Sequence, residues 1–398
     1  MKKTVLISGA GIAGPTLAYW LLCYGYAPTL CERASASRTG GYVVDFWGRG
    51  YDVAERMGLI PEIKADGYEV EEVRFVDAEG GRVGGFPRSA IVGAIGDRFT
   101  SVARSDLARA LFRSVENECE TIFGDSVAAL EPDEDGVRAV FAHGDERRFD
   151  LVVGADGLHS RVRELAFGPE RHFEKYLGYG VAAFQAKAYA PRNDNIYLAH
   201  SEPGRQIARF SMHDDRTLFL FVFAAKEFPD VDAHDAARQK ELLRRLFHGD
   251  GWETPKILDA LEATDDLYFD RVSQIRMNSW SKGRIALVGD AAYSVSLLAG
   301  QGAALAMTGA YVLAGEIARA QGRPEIAFPA YEATLRDYID GKQQSAENFA
   351  SSFAPRTRMG IFVRNQVTKL MAIAPIARLV FGRTLVDQLT LPDYAENR

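Results

Sequence analysis

The chain has 398 residues, too many for one ordinary hydrophobic core and enough for two or three domains. Its 47% hydrophobic and 25% charged residues are those of a globular protein, and a net charge of −7 gives nucleic acid no electrostatic footing. Three scattered cysteines (Cys23, Cys31, Cys119) without a CxxC spacing argue against a disulfide framework or a zinc site and fit a reducing cytoplasm, and no run reaches the ~20 apolar residues a membrane helix needs.

Met1-Lys2-Lys3 and the apolar run behind it look superficially like a secretory signal. Gly9, Gly11 and Gly14 punctuate that run, so it reads as a strand and a turn instead. Thr4 to Ser8 reads as a strand, Pro15 to Tyr24 as a helix with proline in its first turn, and Ala27 to Glu32 as a second strand. Strand, helix, strand is a βαβ unit and implies a parallel sheet. Between strand and helix stands Gly9-x-Gly11-x-x-Gly14. In such a turn the first glycine permits a tight bend, the second lets backbone approach a pyrophosphate, and the third lets helix and strand pack closely. Ile12 and Ala13 stand at the helix N-terminus, whose free N–H groups favour phosphate. Glu32 closes the second strand, where a carboxylate accepts from ribose hydroxyls. The pattern indicates dinucleotide binding and does not separate NAD from FAD.

Ser105 to Glu118 reads as a helix, and Val137 to Phe141 and Phe149 to Val153 as strands. The segment "DLVVGADGLHSRVR" then sets Asp156-Gly157 at a strand end, with Ser160, Arg161 and Arg163 behind it. The arginines suit either phosphate pairing or ion pairs that hold the Asp156 loop; an Asp-Gly turn before a solvated basic helix is the alternative. From about Tyr176 to Ala225, alternating aromatic and β-branched residues with turn signals read as an antiparallel sheet, and the alternation restarts from Leu267 to Arg276. A strand from Ile285 leads into "GDAAYSVSLLAGQG". Asp290 there follows the strand end, and Gly300, Gln301, Gly302 and Ala303 open a helix to Ala318. A carboxylate so placed can hold polyol hydroxyls, and the helix N-terminus can face a group that gains negative charge. The tail from about Pro355 is basic and amphipathic. It reads as a helical appendage docked on its own protein, with a membrane-surface helix as the alternative.

In this order, the glycine motif with Glu32, Asp156-Gly157 and Gly289-Asp290 resemble the class A flavin-dependent aromatic monooxygenases, the para-hydroxybenzoate hydroxylase family, over nearly the whole chain to about residue 350. "ARSDLARAL" is similar to that family's segment with an FAD-contacting arginine, here Arg104. "SVAAL" is similar to its strand passing the adenine, near Val127. "RTGGYVVDF" is similar to its loop over the flavin, with Arg38, Gly41 and Asp45. "GGYVVDFWGRG" and the C-terminal tail look most like the tetracycline-inactivating and polyketide-hydroxylating branch. Tyr293 stands where many members have histidine, and Ser296-Leu297 where they have one or two prolines.

The resemblance implies an α/β fold: a Rossmann-like (GR2-type) FAD-binding domain interleaved with an antiparallel-sheet substrate domain, plus a C-terminal helical appendage. The FAD-binding domain is expected from 1–70, 98–172 and 276–352, the substrate domain from 71–97 and 173–275, and the appendage from 353–398. The cofactor set also includes Arg33, beside Glu32. The resemblance further implies non-covalent FAD, NADPH or NADH as reductant, and O2. A C4a-hydroperoxide of the reduced flavin would hydroxylate an aromatic or polycyclic substrate, with no acid–base constellation needed from the protein. Gln185, Arg205 and Phe221, with Phe184 nearby, are the expected substrate contacts. A monomer or weak dimer, with neither nucleic acid nor inserted membrane as partner, completes the expectation. Other readings on the same scaffold are a reductase and a halogenase. None of Trp20, Trp47, Trp252 and Trp280 stands in the WxWxIP pattern of tryptophan-type halogenases. A non-catalytic nucleotide-binding protein or a plain NAD dehydrogenase is the reading of another class.

Overall fold

A computed structural model describes residues 2–35, 42–226, 235–373, 375–376 and 387–397. Its first layer is a six-stranded sheet. Ile285–Leu287, Leu151–Gly154, Thr4–Ser8, Ala27–Glu32 and Glu120–Phe123 run parallel, and Ser281–Lys282 closes one edge antiparallel. Parallel strands buried on both faces need unbroken apolar runs. Val5 to Ile7, Leu151 to Val153 and Ile285 to Leu287 supply them, all at most 3% exposed. Helices Ala13–Cys23 and Gly302–Arg319 pack together beside this sheet, with the Trp20 and Tyr311 rings edge to face at 4.8 Å.

Two sequence expectations shift. The helix expected over 105–118 runs as Arg104–Arg113, because Ser114 turns back to donate to the Leu111 carbonyl. The strand expected over 149–153 is two strands, Glu146–Phe149 and Leu151–Gly154. Asp150 breaks it: its carboxylate accepts from the Thr4 amide at 2.7 Å and hydroxyl at 2.9 Å, and the chain passes from a three-stranded sheet into the parallel one.

The second layer is a seven-stranded sheet in the order Leu267–Ile275, Glu174–Lys187, Arg216–Ala224, Arg205–Ser211, Ile196–Glu202, Glu72–Val76, Arg82–Pro87. It is antiparallel except where Ile196–Glu202 meets Glu72–Val76. Side chains alternate between its faces. One face carries Phe184, Phe219, Phe221 and Phe223 and is roofed by helices Ala236–Phe247 and Thr254–Glu262 through Leu243, Phe247, Ile257 and Leu261. Arg209, 1% exposed, ties that roof down through Glu253 at 2.8 Å. The opposite face presents Tyr179, Val181, Ala183, Phe210, Leu218 and Val222 toward the nucleotide-type layer. A small sheet of Val43–Trp47, Phe99–Ala103 and Gly67–Tyr68 stands beside that face, with Tyr68 and Ala103 in its apolar cluster.

After helix Pro324–Phe353, helix Arg358–Leu370 docks on the sheet edge. Thr368 Oγ1 accepts from the Gly85 amide at 3.1 Å, and Arg364 lies over the Phe75 ring at 4.0 Å. Residues 387–397 return to the first layer, where Tyr394 donates to Glu316 at 2.6 Å and Asp387 pairs with Lys342 at 2.7 Å.

His159 clamps the layers. It sits behind the Leu151–Gly154 strand, between Glu170 at 3.0 Å and Asp270 of the seven-stranded sheet at 3.2 Å. Donating its two ring N–H groups to Asp270 and then Glu170 favours the imidazolium and raises its pKa to about 10. A folded pKa above the unfolded one gives stability that is complete at low pH and disappears through the folded value. The advantage of wild type over His159→Gln in thermal midpoint should therefore be full below 6.5 and vanish through about 10. A pH-independent difference would show that the clamp carries no charge.

Candidate active site

The glycine turn is shaped by the protein itself at two of its three positions. Gly9 sits at φ +107°, and an added Cβ would come 2.5 Å from the Ala155 carbonyl oxygen. At Gly14 a Cβ would come 1.9 Å from the Gly9 carbonyl oxygen. Gly11 differs: its φ is ordinary, and a Cβ would meet only Arg104 Nη2, at 3.7 Å. Nothing in the protein's own packing demands a glycine there. Gly302 repeats the pattern, with Asp290 Oδ1 at 3.7 Å as its one neighbour. Both open positions head helices without side-chain caps, Ala13–Cys23 after Ile12 and Gly302–Arg319 after Gln301. The two N-termini converge, since an added Cβ at Gly289 would lie 3.3 Å from both Ala13 Cβ and Ala306 Cβ.

Charged groups surround this space. Glu32 accepts from the Ala10 amide at 2.8 Å and the Ala34 amide at 3.0 Å, so it also locks the turn that it borders. Arg33 beside it is exposed. Val127 is buried and starts a strand next to Asp125, whose amide donates to the Glu32 carbonyl. The Arg104 side chain has no hydrogen bond or ion pair among the described residues. Asp290 lies half-buried at the N-terminus of its own short turn; burial raises its pKa, opposed by Arg104 and by a hydrogen bond to Ser294.

Asp45 keeps exposed surface, yet burial raises its carboxyl while a 2.6 Å bond from Ser101 lowers it. Tyr42 and Tyr197 are likewise half-exposed and raised by burial. These groups touch solvent while enclosed by protein, and Arg104, next to Gly11, acts on both Tyr42 and Tyr268, so together they outline a candidate cleft between the glycine turn and the inner face of the seven-stranded sheet. Tyr42, Ser101, Tyr197 and Tyr268 are additions to the residues singled out from sequence. Tyr197 and Tyr268 lay within the two stretches of strand alternation and Tyr42 within "RTGGYVVDF", but nothing in those patterns singled out the individual side chains. Arg38 and Gly41 lie outside the described residues.

Two expectations change and one open alternative is decided. Asp156 is taken up by the first turn of helix Arg161–Phe167: it accepts from Ser160 Oγ, the Arg161 amide at 2.8 Å and the Val162 amide at 3.1 Å. It fixes the loop that carries Ala155 against Gly9. Of the two readings of Arg163, phosphate pairing or holding the Asp156 loop, its partners fit the second. Arg163 is fully buried and donates to the carbonyls of Ala291 at 2.9 Å and Leu158 at 2.6 Å, and to Glu170 at 2.6 Å. Arg205 and Phe221 do not face the cleft. Strand period puts them on the roofed side, where Phe221 packs on Phe247 and Arg205 pairs with Asp250. Phe184 shares that side, stacked on Phe219 at 4.9 Å. Gln185, opposite Leu218, is on the cleft side and accepts from Arg216 at 3.1 Å.

The two departures from the resembling family have local explanations. Tyr293 hydroxyl fills the space over Gly309, where a Cβ would lie 1.7 Å away, and accepts from Tyr331 at 3.2 Å. Ser296 takes φ +123°, a region that favours glycine, and its Oγ accepts from the Leu298 amide at 3.2 Å.

The open glycines generate a test. Gly11→Ala should leave the thermal stability of the flavin-free protein close to wild type while weakening FAD roughly tenfold or more, ~1.4 kcal/mol, by filling the ligand's space. Gly14→Ala should destabilise the fold itself. Calorimetry with and without FAD reads both; equal loss of stability at the two positions would make Gly11 a packing residue.

The family described as "FAD binding domain" matches residues 2–333. A flavin-dependent monooxygenase of Legionella longbeachae is 33% identical, with 98% of each chain covered. The FAD-dependent monooxygenase asL4 of Sarocladium schorii is 30% identical, again over 98% of each. The crystal structure of tetracycline destructase Tet(51) superposes with a TM-score of 0.84 at 31% identity, covering 99% of this chain and all of that one. The chain belongs to the FAD-binding-domain family of FAD-dependent monooxygenases.

Proposed function

We propose that this FAD-dependent monooxygenase uses NADPH or NADH and O2 to hydroxylate an aromatic or polycyclic, tetracycline- or polyketide-like substrate in the cleft. The carrying observation is the pair of glycines, Gly11 and Gly302, that only a ligand's approach requires, each beside an ionisable group of opposite sign, Arg104 and Asp290. Arg104 and the N–H groups of Gly11 to Gly14 suit the pyrophosphate. Glu32 keeps acceptor capacity for adenosine ribose, with Arg33 and Val127 flanking the adenosine end. Asp290 suits the ribityl hydroxyls. The amides of Gly300 to Ala303 suit the carbonyl edge of the ring, and Asp45 borders its far side. Arg38 and Gly41 keep their expected place over the ring.

Bound FAD, once reduced by the nicotinamide, supplies the activation of O2 from which one oxygen atom reaches the substrate. The chain's own residues bind, orient and keep water out. Tyr42, Phe210, Leu218, Leu220 and Tyr268 form an apolar and aromatic wall in the interior cluster. Gln185, Tyr197 and Asp45 interrupt it with the few polar groups that orient a ring system carrying hydroxyl or carbonyl substituents. The likeness to a tetracycline destructase supports the polycyclic class.

The test is NADPH and NADH consumption across a panel of phenols and polycyclic ketones under labelled dioxygen. A substrate of this class should accelerate consumption, and its product should gain one labelled oxygen atom. Accelerated consumption with an unlabelled, reduced product would replace hydroxylation by reduction.

A further inference from the structure

Helix Arg358–Leu370 is half used. Its inward side, Asn365 and Thr368 with Met371 behind them, is buried on the sheet edge, close against Gly84 and Gly85. Its outward side carries Met359, Phe362, Val363, Val367 and Leu370, followed by Ile373 in the next turn. These six make up all but two of the exposed large hydrophobic residues among the described residues. A protein scatters such residues singly; a contiguous helical stripe marks a binding surface. Basic residues edge it. Arg358 and Lys369 stand exposed on one flank of the stripe, and Arg356 just before it.

The charge of this segment is opposite to that of the molecule. From 348 to 386 the sequence holds six basic residues and no acidic one, in a chain of net charge −7. We propose that the outward face of Arg358–Leu370 binds an anionic lipid surface, lying flat on it with the apolar stripe in the headgroup boundary and the basic edge on lipid phosphates. The charge excess selects this occupant over a second copy. An antiparallel two-fold pairing on the stripe would set the Arg358 end of one helix beside the Lys369 end of the other, like charge against like. No helix among the described residues is long and apolar enough to cross a membrane, so the surface mode is the one this helix offers. Since the helix sits on strand Arg82–Pro87, an edge of the seven-stranded sheet, lipid binding would place that sheet beside the membrane.

The experiment is flotation of the FAD-loaded full chain with phosphatidylcholine vesicles, with and without phosphatidylglycerol, at low and high salt. The chain should float with the anionic vesicles and release as salt rises. Phe362→Ser with Leu370→Ser should cut partitioning about tenfold or more, since each lost apolar contact weakens insertion. Arg358→Glu with Lys369→Glu should abolish the preference for phosphatidylglycerol. All four positions are exposed, and retained flavin absorbance confirms that the variants fold. Absence of binding to either vesicle, or binding that survives both double substitutions, would overturn the proposal. So would a lipid-independent dimer in sedimentation that Phe362→Ser with Leu370→Ser dissolves.

Discussion

The fully buried guanidinium of Arg163 holds together two loops that lie far apart in sequence. Its donors on the Leu158 and Ala291 carbonyls fix the segment after Asp156-Gly157 against the segment after Gly289-Asp290, and its ion pair with Glu170 neutralises it there. Removing one partner of such a pair leaves an uncompensated buried charge or carbonyl, at a cost of about 3–5 kcal/mol. The Asp156 loop in turn presents Ala155 against Gly9, and the Asp290 loop leads to Gly302. The crossing of glycine turn, aspartate loop and second helix N-terminus is thus set by one residue whose partners all belong to the protein. Asp156 acts similarly, through the three donors of its helix turn.

The seven-stranded sheet divides labour between its faces. One face is sealed by helices and by phenylalanines that stack within 6.1 Å of one another, so it has no room for a substrate. The other combines apolar residues with isolated polar groups and faces the nucleotide layer. Burial raises the pKa of the Asp45 carboxyl and of the Tyr42, Tyr197 and Tyr268 hydroxyls, so the three tyrosines stay neutral and keep a hydroxyl proton to donate. The clamp of His159 between the layers keeps the two walls at a fixed spacing.

The parallel sheet was readable because both its faces are buried: Thr4–Ser8 and Ala27–Glu32 are short apolar runs bounded by turn residues, and the glycines between them have single physical jobs. The antiparallel sheet was readable as a texture of alternation. Which face met the cleft was not, because Arg205 and Phe221 differ from cleft-facing neighbours by one residue in a period of two, and only the roof of helices Ala236–Phe247 and Thr254–Glu262 breaks the symmetry. Those helices were not foreseen; their contribution comes from packing on phenylalanines far away in sequence. The cleft tyrosines escaped notice for a similar reason. Tyr42, Tyr197 and Tyr268 come from three separate strands or strand starts, and no spacing links them before the chain folds. The stop of the helix at Arg113 was decided by Ser114 bonding back to the local backbone, and the break at Asp150 by a carboxylate that binds Thr4 across the fold; apolar periodicity records neither.

The central claim is that this cleft binds FAD in a form that a nicotinamide reduces and air reoxidises. The most direct measurement is the visible absorption spectrum of the purified protein, before and after NADPH is added in air. Oxidised-flavin bands that bleach and then return are the predicted result. A colourless protein that added FAD cannot restore would contradict the account.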